Sequence, residues 1–231
     1  MTTFKRFALL GVAFVVMSTM VMARELTVEE SYLMESIELM IIREQSRSGS
    51  RDLKMVALEY IGDAIERGNR SPELLASLEY LALEGIRIQA RESGRLVNNF
   101  PDVRVRAATR LGQMGTPEAR DVLVSMVLAD NEPMVISEAI RSLGIIGIDD
   151  NNETSNVISW VVARFDILNP DNLLALSALE AYERLAAANG GMVSQTTIST
   201  ILRIAEGNYI RPVRDRARAL LADLRGFTTQ R

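Results

Sequence analysis

The chain repeats itself after about residue 50, and this repetition restricts the fold more than any other feature. A small residue in the middle of an apolar-periodic segment recurs five times, with separations of 50, 32, 39 and 39 residues. Spacings of roughly 30 to 47 residues are typical of stacked helix pairs, in which each pair buries its apolar face against the next. The sequence therefore predicts an all-α chain with one longer insertion after the first pair. The recurring residues are Ala57, Ala107, Ala139, Ala178 and Ala217.

Proline positions indicate where the predicted helices begin. Proline is tolerated in the first turn, where its missing N–H has no partner to lose, whereas inside a helix it breaks the hydrogen-bond ladder. All six prolines, at 72, 101, 117, 133, 170 and 212, lie at predicted helix starts. The predicted helices are 27–45, 52–67 with 72–91, 102–114 with 117–129, 133–146 with 154–168, 171–188 with 194–206, and a last helix at 212–225, and no strand is predicted.

One repeat is especially clear, and it indicates a family. Residues 101–119 read PDVRVRAATRLGQMGTPEA. This segment resembles a HEAT repeat of the short, bilin-lyase type, in which a Pro-Asp turn and a Val-Arg pair open helix A, and Leu-Gly leads to a glycine turn before helix B. The resemblance implies a right-handed α-solenoid of about five HEAT-like helix pairs at 51–225, with a capping N-terminal helix at 24–50 and a short tail at 226–231.

The first 23 residues have the features of an export signal. Lys5 and Arg6 precede an apolar run at 7–17, and the segment ends at Ala23. This order is typical of a secretory signal peptide, so we expect cleavage after Ala23 and a periplasmic protein with no integral membrane segment after cleavage. The alternative is an uncleaved anchor, although the run of 11 residues is shorter than the roughly 20 that span a bilayer.

Composition excludes several classes of function. The chain has no His and no Cys, which excludes thiol catalysis, Ser-His-Asp triads and Cys/His metal sites, and no cofactor is predicted. Loss of residues 1–23 would change the net charge from −4 to −6, and an acidic protein is a poor binder of nucleic acid. The acidic loop at 147–153 lacks the glycine and the terminal glutamate of a calcium loop, so no metal site is predicted there.

Arginine and aromatic residues recur on the less apolar sides of the B helices. Arg and Trp are favoured at the centres of protein interfaces, so this pattern predicts a protein-binding strip. Two alternatives stay open: Trp160 packs in the core, and the arginines pair with acids between stacked repeats. Trp160 and Arg164 are four residues apart, which allows an indole–guanidinium stack. The candidate contact residues are Tyr80, Arg87, Arg120, Trp160, Arg164 and Arg203.

The resemblance to HEAT-like repeats implies a function in binding proteins. We expect an exported, non-enzymatic scaffold or adaptor that binds a protein partner of the periplasm or envelope through the B-helix face. The alternatives are a subunit of an enzyme complex, since some HEAT-like proteins are bilin lyase subunits, and a self-assembling structural element of the cell envelope. An exposed apolar face on the terminal helix would favour self-assembly. The sequence leaves the oligomeric state open.

Overall fold

A computed structural model describes residues 27–168, 170–191 and 193–229. The predicted signal peptide at 1–23 lies outside the described residues. The chain divides into two compact units, residues 1–37 and 38–231. The described part of the first unit is the beginning of one helix, and the second unit contains all five of the recurring small residues.

Ten α-helices account for most of the described residues, which confirms the all-α prediction. Apart from the ends of the third and last helices, the predicted bounds differ from the observed ones by at most two residues. The helices are α1 (Val28–Arg47), α2 (Arg51–Glu66), α3 (Pro72–Leu83), α4 (Pro101–Met114), α5 (Pro117–Ala129), α6 (Pro133–Ile146), α7 (Glu153–Leu168), α8 (Asn172–Ala188), α9 (Gln195–Glu206) and α10 (Arg211–Thr229).

Local sequence signals explain these helix starts. A side-chain oxygen accepts a hydrogen bond from a free first-turn N–H in five helices, and such caps stabilise a helix end. The caps of α4 and α6 lack this bond, but both helices begin with proline, whose φ angle is already helical. The capping residues are Ser50, Ser71, Thr116, Asp171 and Ser194.

Within residues 38–231 the helices form a two-layer solenoid. The A layer contains α2, α4, α6, α8 and α10, and each of these packs against the next one in the layer. The B layer contains α3, α5, α7 and α9, which pack in the same order. The described chain therefore has four complete A/B pairs, and α10 supplies the A helix of the fifth copy.

The recurring small residues mark the seam of the A layer. All five alanines used to align the repeats are completely buried. Glycines five residues after two of these alanines, Gly112 and Gly144, allow consecutive A helices to approach closely. A Cβ atom added at Gly144 would lie 2.7 Å from the Cα atom of Ala181, and one at Gly112 would lie 2.8 Å from the Ser142 Oγ atom. The glycine of the Leu-Gly pair therefore lies where one A helix contacts the next: Gly112 of α4 faces α6, and Gly144 of α6 faces α8.

Buried ion pairs join the two layers in the first two repeats. Lys54 Nζ lies 2.7 Å from Glu84 Oε2, and Arg104 Nε donates to Asp130 Oδ2 at 2.8 Å. Each cation lies in the first turn of an A helix, and each carboxylate belongs to the residue that follows the B helix of the same pair. The next two repeats have Ile136 and Ala175 at the cation position, both completely buried.

The prediction of a helix at 72–91 is wrong in its second half. Helix α3 ends at Leu83, and the chain then forms a short hairpin, with β1 (Arg91–Glu92) antiparallel to β2 (Arg95–Leu96). Gly85 adopts a φ of +77°, and a Cβ atom there would lie 2.6 Å from the Asn98 carbonyl oxygen. A positive φ lies outside the helical region, so the helix cannot continue through this turn. Glycine adopts that angle readily, whereas other residues rarely do. The hairpin lies in the predicted longer insertion.

Candidate protein-binding surface

The outer side of the B layer is the surface that the sequence predicted as a binding strip. At their N-terminal ends, α5 and α7 are joined by Arg120 Nη1 and Glu153 Oε2, 2.8 Å apart. At their C-terminal ends, Arg164 Nη2 donates to Asn131 Oδ1 at 3.1 Å. These two bonds fix the two helices side by side and parallel. Exposed side chains of the two helices therefore belong to the same layer of the solenoid.

Trp160 is the largest exposed side chain on this surface, with 52% of its area accessible. The Arg164 Cζ atom lies 5.6 Å from the centroid of the indole ring, within the range of a cation–π interaction. Arg164 also donates to the Asp130 carbonyl oxygen at 3.1 Å, which fixes the guanidinium. The predicted Trp160–Arg164 stack is therefore present, and Trp160 does not pack in the core.

One leucine on each of the two helices next to α7 in the B layer is also exposed. Leu128 on α5 is 42% exposed, and Leu202 on α9 is 45% exposed. Helices α7 and α9 pack against each other, and the Tyr182 hydroxyl of α8 is hydrogen-bonded to the Ser159 hydroxyl of α7 at 2.8 Å. We call Leu128, Trp160, Arg164 and Leu202 the B-face patch. The two leucines were not among the contact residues predicted from the sequence.

Arg120 and Tyr80, two other candidates, have partners within the chain. The hydrogen bond from Arg120 to Glu153 raises the pKa of the Arg120 guanidinium, and this side chain is only 12% exposed. The Tyr80 ring lies 5.2 Å from Lys54 Nζ, and burial together with the Glu84 carboxylate raises the pKa of its phenol. The structure therefore favours the pairing alternative for Arg120 and places Tyr80 beside the buried ion pair.

The last two candidates lie apart from the patch. Arg87 is exposed, but it lies in the segment after α3 and not on a B helix, because α3 ends at Leu83. Arg203 is exposed on α9. Burial and the Asp166 carboxylate raise the pKa of the Tyr209 phenol, and the positive charge of Arg203 opposes this rise. Of the six predicted residues, only Trp160 and Arg164 are in direct contact on the B face.

Ion pairs on the A layer connect consecutive helices. They join α2 to α4, α6 to α8 and α8 to α10, so they follow the stacking direction. This is the arrangement expected if many arginines serve the solenoid and not a ligand. The pairs are Arg51–Asp102, Arg106–Glu59, Arg141–Glu180 and Arg216–Glu183.

The acidic loop before α7 is used for helix capping. Asp149 Oδ1 accepts a hydrogen bond from the Ser155 N–H at 3.0 Å, and Thr154 Oγ1 donates to the Ile148 carbonyl oxygen at 2.7 Å. Across the described residues, no three acidic side chains are grouped so that they could hold a metal ion.

The described part of α10 presents a polar outer face. Between Arg211 and Leu224 the exposed side chains are charged residues, alanine or proline. Within these residues α10 therefore does not show the exposed apolar face that would favour self-assembly. None of the described helices combines the length and the hydropathy that a membrane span requires.

Comparisons with known proteins identify the repeat. Residues 94–166, from the hairpin to α7, match a family model described as HEAT repeats. No curated protein matches the chain significantly. Among solved structures, a de novo designed 16-helix transmembrane nanopore studied by cryo-electron microscopy is similar over 87% of this chain, with 14% identity and a TM-score of 0.27. The match spans 63% of that designed chain.

Proposed function

Because the chain is a HEAT-like repeat protein, we propose that it is an exported, non-enzymatic scaffold or adaptor that binds another protein through the B-face patch. HEAT repeats generally mediate interactions between proteins, which supports the class of function. The side chains that support this choice of surface are an indole, a guanidinium and two leucines that solvent reaches on three neighbouring B helices.

The observation that carries the proposal is the exposure of Trp160 in a fixed position. An exposed tryptophan costs free energy in water, and Trp and Arg are the residue types most enriched at the centres of interfaces. Arg164 is bonded to Asp130 and Asn131 while it contacts the indole, so both side chains are ordered before a partner arrives. A preorganised surface loses less conformational entropy on binding.

A periplasmic location is the second part of the proposal, and the order of charges and apolar residues in 1–23 supports it. N-terminal sequencing of the protein purified from its native cells should begin at Arg24. Recovery from the cytosol with residues 1–23 retained would contradict the location, whereas a binding function could persist.

The binding surface can be tested by comparing two exposed side chains. Trp160 on α7 and Ile145 on α6 are both 52% exposed, but Ile145 belongs to the A layer. The mature chain would be used to purify a partner from periplasmic extract, and affinities would then be measured for Trp160→Ala, Leu202→Ala and Ile145→Ala. We expect Trp160→Ala to weaken binding by on the order of 2 kcal/mol and Ile145→Ala to have no effect. Equal affinities for all three variants would contradict the proposal.

A further inference from the structure

The hairpin between α3 and α4 has a root held by many hydrogen bonds. Asn98 Nδ2 donates to the Ile88 carbonyl oxygen at 2.8 Å, and Asn98 Oδ1 accepts from the Ala90 N–H at 2.8 Å. The Gly85 N–H also donates to the Ile88 carbonyl oxygen, at 2.8 Å. Both Asn98 and the adjoining Glu84 are buried. The root is therefore fixed to the solenoid.

The tip of the hairpin is exposed and positively charged. Every residue from Arg87 to Arg95 is exposed, and residues 85–97 carry a net charge of +2 in a chain whose net charge is −4. Ile88 and Val97 are 40% and 41% exposed, so apolar surface accompanies the arginines. We call residues 85–97 the arginine hairpin, after Arg87, Arg91 and Arg95, and we call Glu84 and Asn98 its root.

A chain of hydrogen bonds connects the root of the arginine hairpin to the B-face patch. The Arg104 guanidinium donates to the Glu84 carbonyl oxygen at 3.5 Å and to the Asp130 carboxylate at 2.8 Å. Arg164, which stacks on Trp160, donates to the carbonyl oxygen of the same Asp130. The root of the hairpin and Arg164 of the patch thus lie at the same edge of the solenoid, where α3, α5 and α7 end.

We propose that the arginine hairpin docks an acidic, extended segment of the protein that occupies the B-face patch. This inference rests on the proposed function and adds the chemistry of the partner. Arginine presents a planar fork that binds carboxylates through two parallel hydrogen bonds, and the exposed Ile88 and Val97 fit apolar residues that alternate with the acids. The positive charge of the hairpin attracts a negatively charged segment.

A synthetic probe tests the hairpin without knowledge of the partner. The probe is a fluorescent peptide of alternating glutamate and valine, and its binding to the chain without residues 1–23 is measured by anisotropy at low salt. The hairpin variant carries Arg87→Gln, Arg91→Gln and Arg95→Gln. The control variant carries Arg43→Gln, Arg184→Gln and Arg211→Gln, which remove the same charge from exposed positions elsewhere. Circular dichroism verifies that each variant is folded.

The expected result is binding by the wild type and the control, and affinity lower by on the order of tenfold in the hairpin variant. A variant with lysine at the three hairpin positions should bind the peptide with an affinity between those of the wild type and the hairpin variant. Lysine retains the positive charge but lacks the planar guanidinium that binds a carboxylate through two hydrogen bonds. Equal affinity of the control and hairpin variants, or the absence of any peptide binding, would overturn the inference. So would sedimentation of the wild type with phosphatidylglycerol vesicles in place of peptide binding. The outcome for Trp160→Ala with the purified partner separately decides the proposed function.

Discussion

Lys54 and Glu84 form an ion pair that solvent hardly reaches: the lysine side chain is 0% exposed and the glutamate side chain 6%. Replacement of Lys54 by Met would leave a carboxylate buried without a counter-charge. We expect the free energy of unfolding to fall by about 3 to 5 kcal/mol, as measured by urea denaturation. The double variant Lys54→Met/Glu84→Leu should regain much of this loss. Equal losses in the single and double variants would contradict the ion-pair explanation.

Gly144 tests the close contact of the A helices. Gly144→Ala would place a Cβ atom 2.7 Å from the Ala181 backbone, which forces α6 and α8 apart. We expect a loss of about 1 to 3 kcal/mol in unfolding free energy, despite the higher helix propensity of alanine. Gly49→Ala is the control, because no atom lies within 4 Å of the added Cβ. A neutral or stabilising Gly144→Ala would mean that the helices can separate without cost.

Leu111 and Trp160 should differ in their contributions to stability. Leu111 is completely buried in the seam, so Leu111→Ala should lower the free energy of unfolding by about 2 to 5 kcal/mol. Trp160→Ala removes a half-exposed side chain and should cost less than about 1 kcal/mol. Thermal unfolding of both variants measures the difference. A large drop in melting temperature for Trp160→Ala would indicate that Trp160 packs in the core, and it would contradict the B-face patch as a binding surface.

Tyr182 should make the fold sensitive to alkaline pH. Burial raises the pKa of the Tyr182 phenol far above its usual value, although the hydrogen bond with Ser159 opposes this shift. Above about pH 10 the unfolded chain loses the phenol proton while the folded chain keeps it, so stability falls as pH rises. The expected slope is up to about 1.4 kcal/mol per pH unit for this group.

Tyr182→Phe isolates that contribution. The variant should lose about 1 kcal/mol at neutral pH, where the hydroxyl bond is missing, but its stability should decline less steeply above pH 10. Urea denaturation across the alkaline range measures both effects. An unchanged alkaline slope would assign the sensitivity to other groups, such as Tyr209, whose pKa is also raised, chiefly by burial.

The helices could be predicted because their signals are local. Caps such as Ser71 and Thr116, and prolines such as Pro133, act within one turn of the residue itself. The five alanines mark the seam because only a small side chain fits where two helices cross closely. Caps, prolines and the repeat period together therefore predicted nearly all the helix bounds.

The hairpin and the partners of the arginines could not be predicted in the same way. Leu83, Ile86 and Ile88 continue an apolar pattern, and the turn at Gly85 depends on its contact with Asn98, thirteen residues further along the chain. Likewise the partner of Arg120 is Glu153, 33 residues further along the chain on the neighbouring helix. The stack of Arg164 on Trp160 could be predicted, because the two residues are four apart on one helix. Contacts distant in sequence therefore decided where the hairpin turns and which acid pairs with Arg120.

The unequal distribution of the buried ion pairs means that the repeats are not interchangeable parts. The pair α2/α3 and the pair α4/α5 each contain a cation and the carboxylate that neutralises it, whereas Ile136 and Ala175 make the later repeats indifferent to charge at the same place. A hybrid that joined α4 to the B helix of a later repeat would bury Arg104 without an acid. Recombination or design can therefore exchange α2/α3 and α4/α5 only as whole helix pairs. In α6/α7 and α8/α9, the A helix and the B helix can be exchanged separately without leaving a buried charge unpaired at this position.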